Sequence, residues 1–107
     1  MSTMDIRKWV TLERSLIALR ERESWLRSKG VVHAAVFGSV ARGDDDQSSD
    51  VDVLLELAPN APVGTPELLQ IEAALVAALG RSVDVVSRGG LKSPRHDHII
   101  KEMVPAF

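Results

Sequence analysis

The stretch Phe37-Gly38-Ser39-Val40-Ala41-Arg42-Gly43, followed after a polar loop by Ser49-Asp50-Val51-Asp52, decides how this chain is read. Upstream, Val31, Val32, Ala34, Ala35, Val36 and Phe37 form an apolar run of strand length, interrupted by His33. Gly38 lacks a Cβ, so the backbone there can turn tightly and approach a ligand closely. Ser39 is a good helix N-cap, and its hydroxyl and the following amides suit an anion. Arg42, within one helical turn, offers a fixed positive charge to phosphate or carboxylate, and Gly43 closes the short helix. A second strand then opens on Asp50 and Asp52. Side chains alternate across a strand, so the two carboxylates share a face, roughly 6.5–7 Å apart along the backbone. That spacing lets both ligate one Mg²⁺, or one bridge two ions about 3.5–4 Å apart. The opposite face carries Val51, Val53, Leu55 and Leu57, an apolar row for a core.

Each half is weak when taken separately. Asp-x-Asp at a strand mouth is commonly a capping or turn pair, and Gly-Ser is commonly an ordinary strand–turn–helix corner. The combination is far more specific: Gly38-Ser39, ten positions from Val40 to Ser49, then Asp50-Val51-Asp52. This resembles the signature of the DNA polymerase β-like nucleotidyltransferase superfamily, and in detail that of its minimal nucleotidyltransferases. The sub-pattern Phe-Gly-Ser-x-Ala-Arg-Gly, then Ser-Asp-x-Asp, stands at Phe37 to Gly43 and Ser49 to Asp52. The motif spans Phe37 to Asp52; the rest of the chain matches by element order.

The resemblance implies that Gly38 and Ser39, with Arg42 beside them, bind the nucleotide triphosphate. It implies Mg²⁺, two ions, held by Asp50 and Asp52 with a third carboxylate from a later strand that helps activate the acceptor hydroxyl. Asp84, in Arg81-Ser82-Val83-Asp84-Val85-Val86, is the candidate: it is the only acidic residue in that apolar run. The other reading of Asp84 is a solubility charge on an edge strand.

Composition bounds the class. The chain has 107 residues, 45% hydrophobic and 26% charged, which suits one minimal nucleotidyltransferase domain over 1–107. No run approaches the roughly 18 apolar residues of a membrane span, and no signal-peptide core is visible, so a cytoplasmic location is the default. Zero cysteines exclude a disulfide scaffold and a thiolate metal site. A net charge of −2, no tyrosine and no basic patch with interleaved aromatics argue against direct binding of a long nucleic acid.

The periodicity predicts a helix over 5–29, stopped by Gly30, with Trp9, Leu12, Leu16, Leu19 and Leu26 on its core stripe. Thr65 caps a helix opening on Pro66, and Ser93-Pro94 opens a last helix that ends at Pro105. The order is α-β-α-β-α-β-α, an α/β (α+β) fold with one small sheet covered by helices. That the sheet is mixed is implied by the resemblance.

Several residues tempt. His96-Asp97-His98 looks like a metal cluster, but i and i+2 point apart on a helix. His33 reads as a half-buried histidine, and Asp44-Asp45-Asp46 as a solvated acidic run. One of Arg81, Arg88 and Lys92 could reach the triphosphate or the acceptor.

The expected reaction is attack of an acceptor hydroxyl on the α-phosphorus of an NTP, ATP by resemblance. A chain this short carries no acceptor-binding domain, so the acceptor comes from a separate molecule or a second subunit, and the oligomeric state stays open. Minimal nucleotidyltransferases are commonly antitoxins paired with a HEPN-domain toxin, to which they can transfer AMP on a tyrosine. This chain has no tyrosine, so such a target lies in the partner. The alternatives are a non-catalytic antitoxin that masks its partner, and a nucleotidyltransferase for a small-molecule acceptor.

Overall fold

The computed structural model describes residues 3–90 and 94–107. Elements follow in the order α1 (Thr3–Glu21), α2 (Glu23–Ser28), β1 (Val31–Phe37), α3 (Gly38–Arg42), β2 (Val51–Leu57), α4 (Thr65–Leu79), β3 (Val83–Ser87), a 3₁₀ turn (Arg88–Gly90), α5 (Arg95–Glu102) and β4 (Val104–Pro105). The sheet is mixed, in the order β3-β2-β1-β4. β1 runs antiparallel to β2 and to β4, whereas β2 and β3 are parallel.

Alternation along the strands gives the sheet two apolar faces. Val51, Val53 and Leu55 of β2 and Ala34 and Val36 of β1 turn to the larger core, against Leu12 and Leu19 of α1, Leu26 of α2 and Ile71 and Leu75 of α4. A register shift between Val31 and His33 returns Val31 to that same face. On the other face Phe37 and Leu54 pack with Ile99 of α5, flanked by Val86, Ile100 and Met103. The face that carries Asp52 is therefore roofed by α5, which is the feature of the fold that shapes the site.

Two local expectations are corrected. The single helix expected over 5–29 divides at Arg22, which has φ −104° and ψ 12°. No glycine or proline forces the break. Arg22 Nη1 donates to Ala18 O at 3.0 Å, α2 packs on β1, and Leu26 reaches complete burial. Packing here overrides helix propensity. The last helix also ends at Glu102 and not at Pro105: Val104 and Pro105 pair with Val36 and Ala35 as a short edge strand. Two residues with a proline carry no readable strand pattern.

Helix α4 starts at Thr65 with Gly64 rather than Thr65 as its N-cap, and Glu67 Oε2 accepts from the Gly64 N–H at 2.8 Å. Among the described residues no helix is long and apolar enough to cross a membrane.

Candidate active site at the glycine–serine turn

β1 ends at Phe37 and the chain turns directly into α3. Gly38 sits at φ +72°, in the left-handed region. A Cβ there would collide with the Asp52 carboxylate, lying 3.1 Å from its carbon, so only glycine lets turn and carboxylate touch. The pairing of Phe37 with Asp52 across β1 and β2 causes this approach. The N-cap of α3 is Phe37, and Ser39 lies inside the helix's first turn. Ser39 is therefore not the cap expected from sequence; it remains beside Gly38 at the head of the helix.

The carboxylates come together across strands. Asp52 lies opposite Asp84 in the parallel β2–β3 register. Asp50 immediately precedes β2 and is exposed, as is Asp84, while Asp52 is half-buried. Burial pushes the Asp52 carboxyl above the ordinary aspartate range, and the charges of Asp84 and then Asp50 push it further; Arg42 and Arg95 oppose the shift. Among the described residues no three His, Cys, Asp or Glu side chains already converge as a metal cage. The donor set is nonetheless all oxygen, with two carboxylates disfavouring the ionisation of a third. Such a set fits a hard divalent cation, whose charge would relieve the repulsion.

Arg42 is held between acids. Its Nη1 donates to Glu102 Oε2 at 2.9 Å and its Nε to Asp44 Oδ2 at 3.2 Å. These partners, Glu102 first, raise its pKa further. Glu102 Oε1 also accepts from the Gly38 N–H at 3.1 Å. Arg95, at the start of α5, adds positive charge near Asp52. Neither Arg95 nor Glu102 was readable as a site residue. Their signal lies only in the apolar stripe Ile99-Ile100-Met103, which seats α5 on Phe37 and Leu54.

Arg81 is taken up by the loop between α3 and β2 and by Thr11 of α1. Nη2 donates to Asp46 O at 2.6 Å and Ser49 O at 2.7 Å, and Nη1 to Asp45 Oδ2 at 3.3 Å and Thr11 Oγ1 at 3.1 Å. The side chain clamps the loop that delivers Asp50. The Asp45 side chain is only 8% exposed, so the acidic run is not simply solvated. Arg88 pairs with Glu56 at 3.3 Å, and Lys92 lies outside the described residues. His33 is exposed rather than half-buried, 3.6 Å from Glu56. His96 and His98 turn to different partners, Asp97 and Glu102, each at 3.5 Å. A cavity of about 230 Å³ opens on the same sheet face beyond Met103, lined by Ala35, Leu54 and Phe107 among others. None of the three aspartates lines it.

Residues 16–106 match the nucleotidyltransferase domain family. Protein adenylyltransferase MntA of Thermococcus cleftensis is 35% identical over 99 residues, covering 89% of this chain and 95% of that protein. A solved structure provisionally described as a minimal nucleotidyltransferase superposes with a TM-score of 0.69 at 33% identity, over 84% of this chain and 94% of the other. A toxin–antitoxin structure with AMP-PNP reaches a TM-score of 0.68 at 18% identity, over 82% of this chain and 72% of the other, a likeness of fold. Motif, mixed sheet and relatives agree: the chain belongs to the nucleotidyltransferase domain family, among its minimal nucleotidyltransferases.

Proposed function

We propose that this nucleotidyltransferase is a Mg²⁺-dependent protein adenylyltransferase that moves AMP from ATP to a tyrosine hydroxyl of a separate HEPN-domain toxin, acting as its antitoxin. The observation that carries the reading is the contact of Gly38 with Asp52, with Asp84 across the parallel register. It sets the turn that would bind phosphate against the carboxylates that would hold the metal. The activity named for the Thermococcus cleftensis relative, and the toxin–antitoxin assemblies among the fold neighbours, support the substrate and the partner.

Asp50, Asp52 and Asp84 are the proposed metal-holding and catalytic residues. Bound Mg²⁺ would supply charge neutralisation on the triphosphate and acidify the acceptor hydroxyl. Gly38, by letting the backbone come close, the Ser39 amide and hydroxyl, and the Arg42 N–H groups not taken by Glu102 and Asp44 would orient the phosphates. The acceptor oxygen bonds to the α-phosphorus, the bond to the bridging oxygen breaks, and pyrophosphate leaves with the electron pair. Asp84, exposed on the edge strand β3, would take the hydroxyl proton.

Incubation of the full chain with its cognate partner and α-labelled ATP should label the partner. Asp52→Ala should abolish labelling, with a loss of at least about 10²-fold. A partner that is neutralised but never labelled in the presence of Mg²⁺ refutes transfer and leaves masking as the mode of action.

A further inference from the structure

Glu102 lies in the last turn of α5, 64 residues from Gly38 and 60 from Arg42, yet its carboxylate joins the two. Oε1 accepts from the Gly38 N–H at 3.1 Å; Oε2 accepts from Arg42 Nη1 at 2.9 Å. The side chain is 13% exposed, and His98 Nε2, one turn earlier, stands 3.5 Å from Oε2. A carboxylate so withdrawn from water has to find donors. Anchoring α5 would not require these two, because Ile99 already fixes the helix on Phe37 and Leu54.

We propose that Glu102 is a positioning residue of the nucleotide site: by bridging the Gly38 amide and Arg42, it sets the conformation of the glycine–serine turn and the pose of the guanidinium before ATP binds. The inference rests on the reading that this turn and Arg42 receive the triphosphate. Two physical reasons make such a brace useful. Glycine at φ +72° has many alternative conformations, and a hydrogen bond to its own N–H selects one of them. The Arg42 side chain is 46% exposed, so without its acidic partners it would sample many rotamers and lose that freedom on binding. Asp44 restrains Arg42 only from its own loop, whereas Glu102 ties Arg42 and the turn to one another.

The rival role is that of an anion occupying the phosphate position, which ATP has to displace. The two roles differ in sign. A brace, when removed, weakens nucleotide binding; a competitor, when removed, tightens it.

The test is calorimetric titration of the full chain with Mg²⁺·AMP-PNP, with thermal unfolding recorded for each variant. Glu102→Ala should weaken binding about tenfold, the size of effect that supporting residues around a site commonly have. Glu102→Gln keeps an acceptor for the Gly38 amide but not the charged partner of Arg42, so it should recover part of the loss. It also carries the test if the alanine variant unfolds. Leu75→Ala destabilises the larger core on the opposite face of the sheet from α5 and should leave affinity within about threefold. Unchanged or tighter binding in both Glu102 variants overturns the proposal, as does an equal loss in Leu75→Ala. A wild-type chain with no affinity for Mg²⁺·AMP-PNP overturns it together with the nucleotide reading; wild-type binding that survives both Glu102 substitutions overturns this inference alone.

Discussion

Gly38 and Gly80 have nearly the same backbone, at φ +72° and +67°, but different surroundings. Around Gly80 nothing lies within 4 Å of an added Cβ, whereas at Gly38 that atom would strike the Asp52 carboxylate and sit 3.4 Å from the Asp52 Cβ. Alanine in the left-handed region costs about 1–2 kcal/mol at either position. For a domain near this size that corresponds to a fall in Tm of roughly 5–10 °C. Gly80→Ala should show this fall with unchanged nucleotide binding, since Gly80 only terminates α4. Gly38→Ala has to turn Asp52 aside as well. It should lose at least as much Tm and in addition bind Mg²⁺·AMP-PNP about 10- to 100-fold more weakly, as when a metal-binding group is mis-set. Differential scanning calorimetry and titration calorimetry on the two variants separate backbone strain from site disruption. Equal affinities for Gly38→Ala and wild type would refute the claim that this contact builds the site. A comparable affinity loss in Gly80→Ala would show the effect to be general destabilisation.

Further outcomes follow from the same geometry. The raised Asp52 carboxyl means the folded chain holds that proton more tightly than the unfolded chain. Its ionisation therefore costs nothing below about pH 4 and weighs on the fold increasingly as pH rises through the raised folded value. In EDTA, Asp52→Asn should then have a higher Tm than wild type at pH 7, with the gap closing towards pH 4; a lower Tm at pH 7 contradicts the repulsion. Arg81→Ala strips Asp45 of its partner and unclamps the loop before Asp50, which should cost roughly 3 kcal/mol in chemical denaturation. Adding Asp45→Asn should recover part of that loss, and strict additivity would count against the pair. Leu55→Ala, fully buried in the larger core, should cost about 2–5 kcal/mol by the same method, and a cost under 1 kcal/mol would mean the core face is misassigned.

Much of this chain is written locally. The alternation of Val51, Val53 and Leu55 against Asp52 and Leu54 sets which face of β2 is core, because side chains of a strand alternate whatever surrounds them. Gly38-Ser39 and Asp50-Val51-Asp52 lie within fifteen residues, so their spacing carried the expected site and family. What lay beyond local reach depended on contacts distant in sequence. The break at Arg22 follows from Leu26 packing on the sheet, not from any helix-breaking residue. Arg81 is spent on the loop, a fate set by carbonyls 32 and 35 residues away. The opposition of Asp84 to Asp52 needed the parallel register of two strands joined by a crossover through α4 and not by a hairpin. Glu102 reaches Gly38 and Arg42 only because α5 folds back over Phe37 and Leu54. Residue type and short-range period determine which chemistry the chain carries; tertiary packing alone decides which charges become neighbours, because Coulomb and hydrogen-bond energies depend on distance in space and not on separation along the chain.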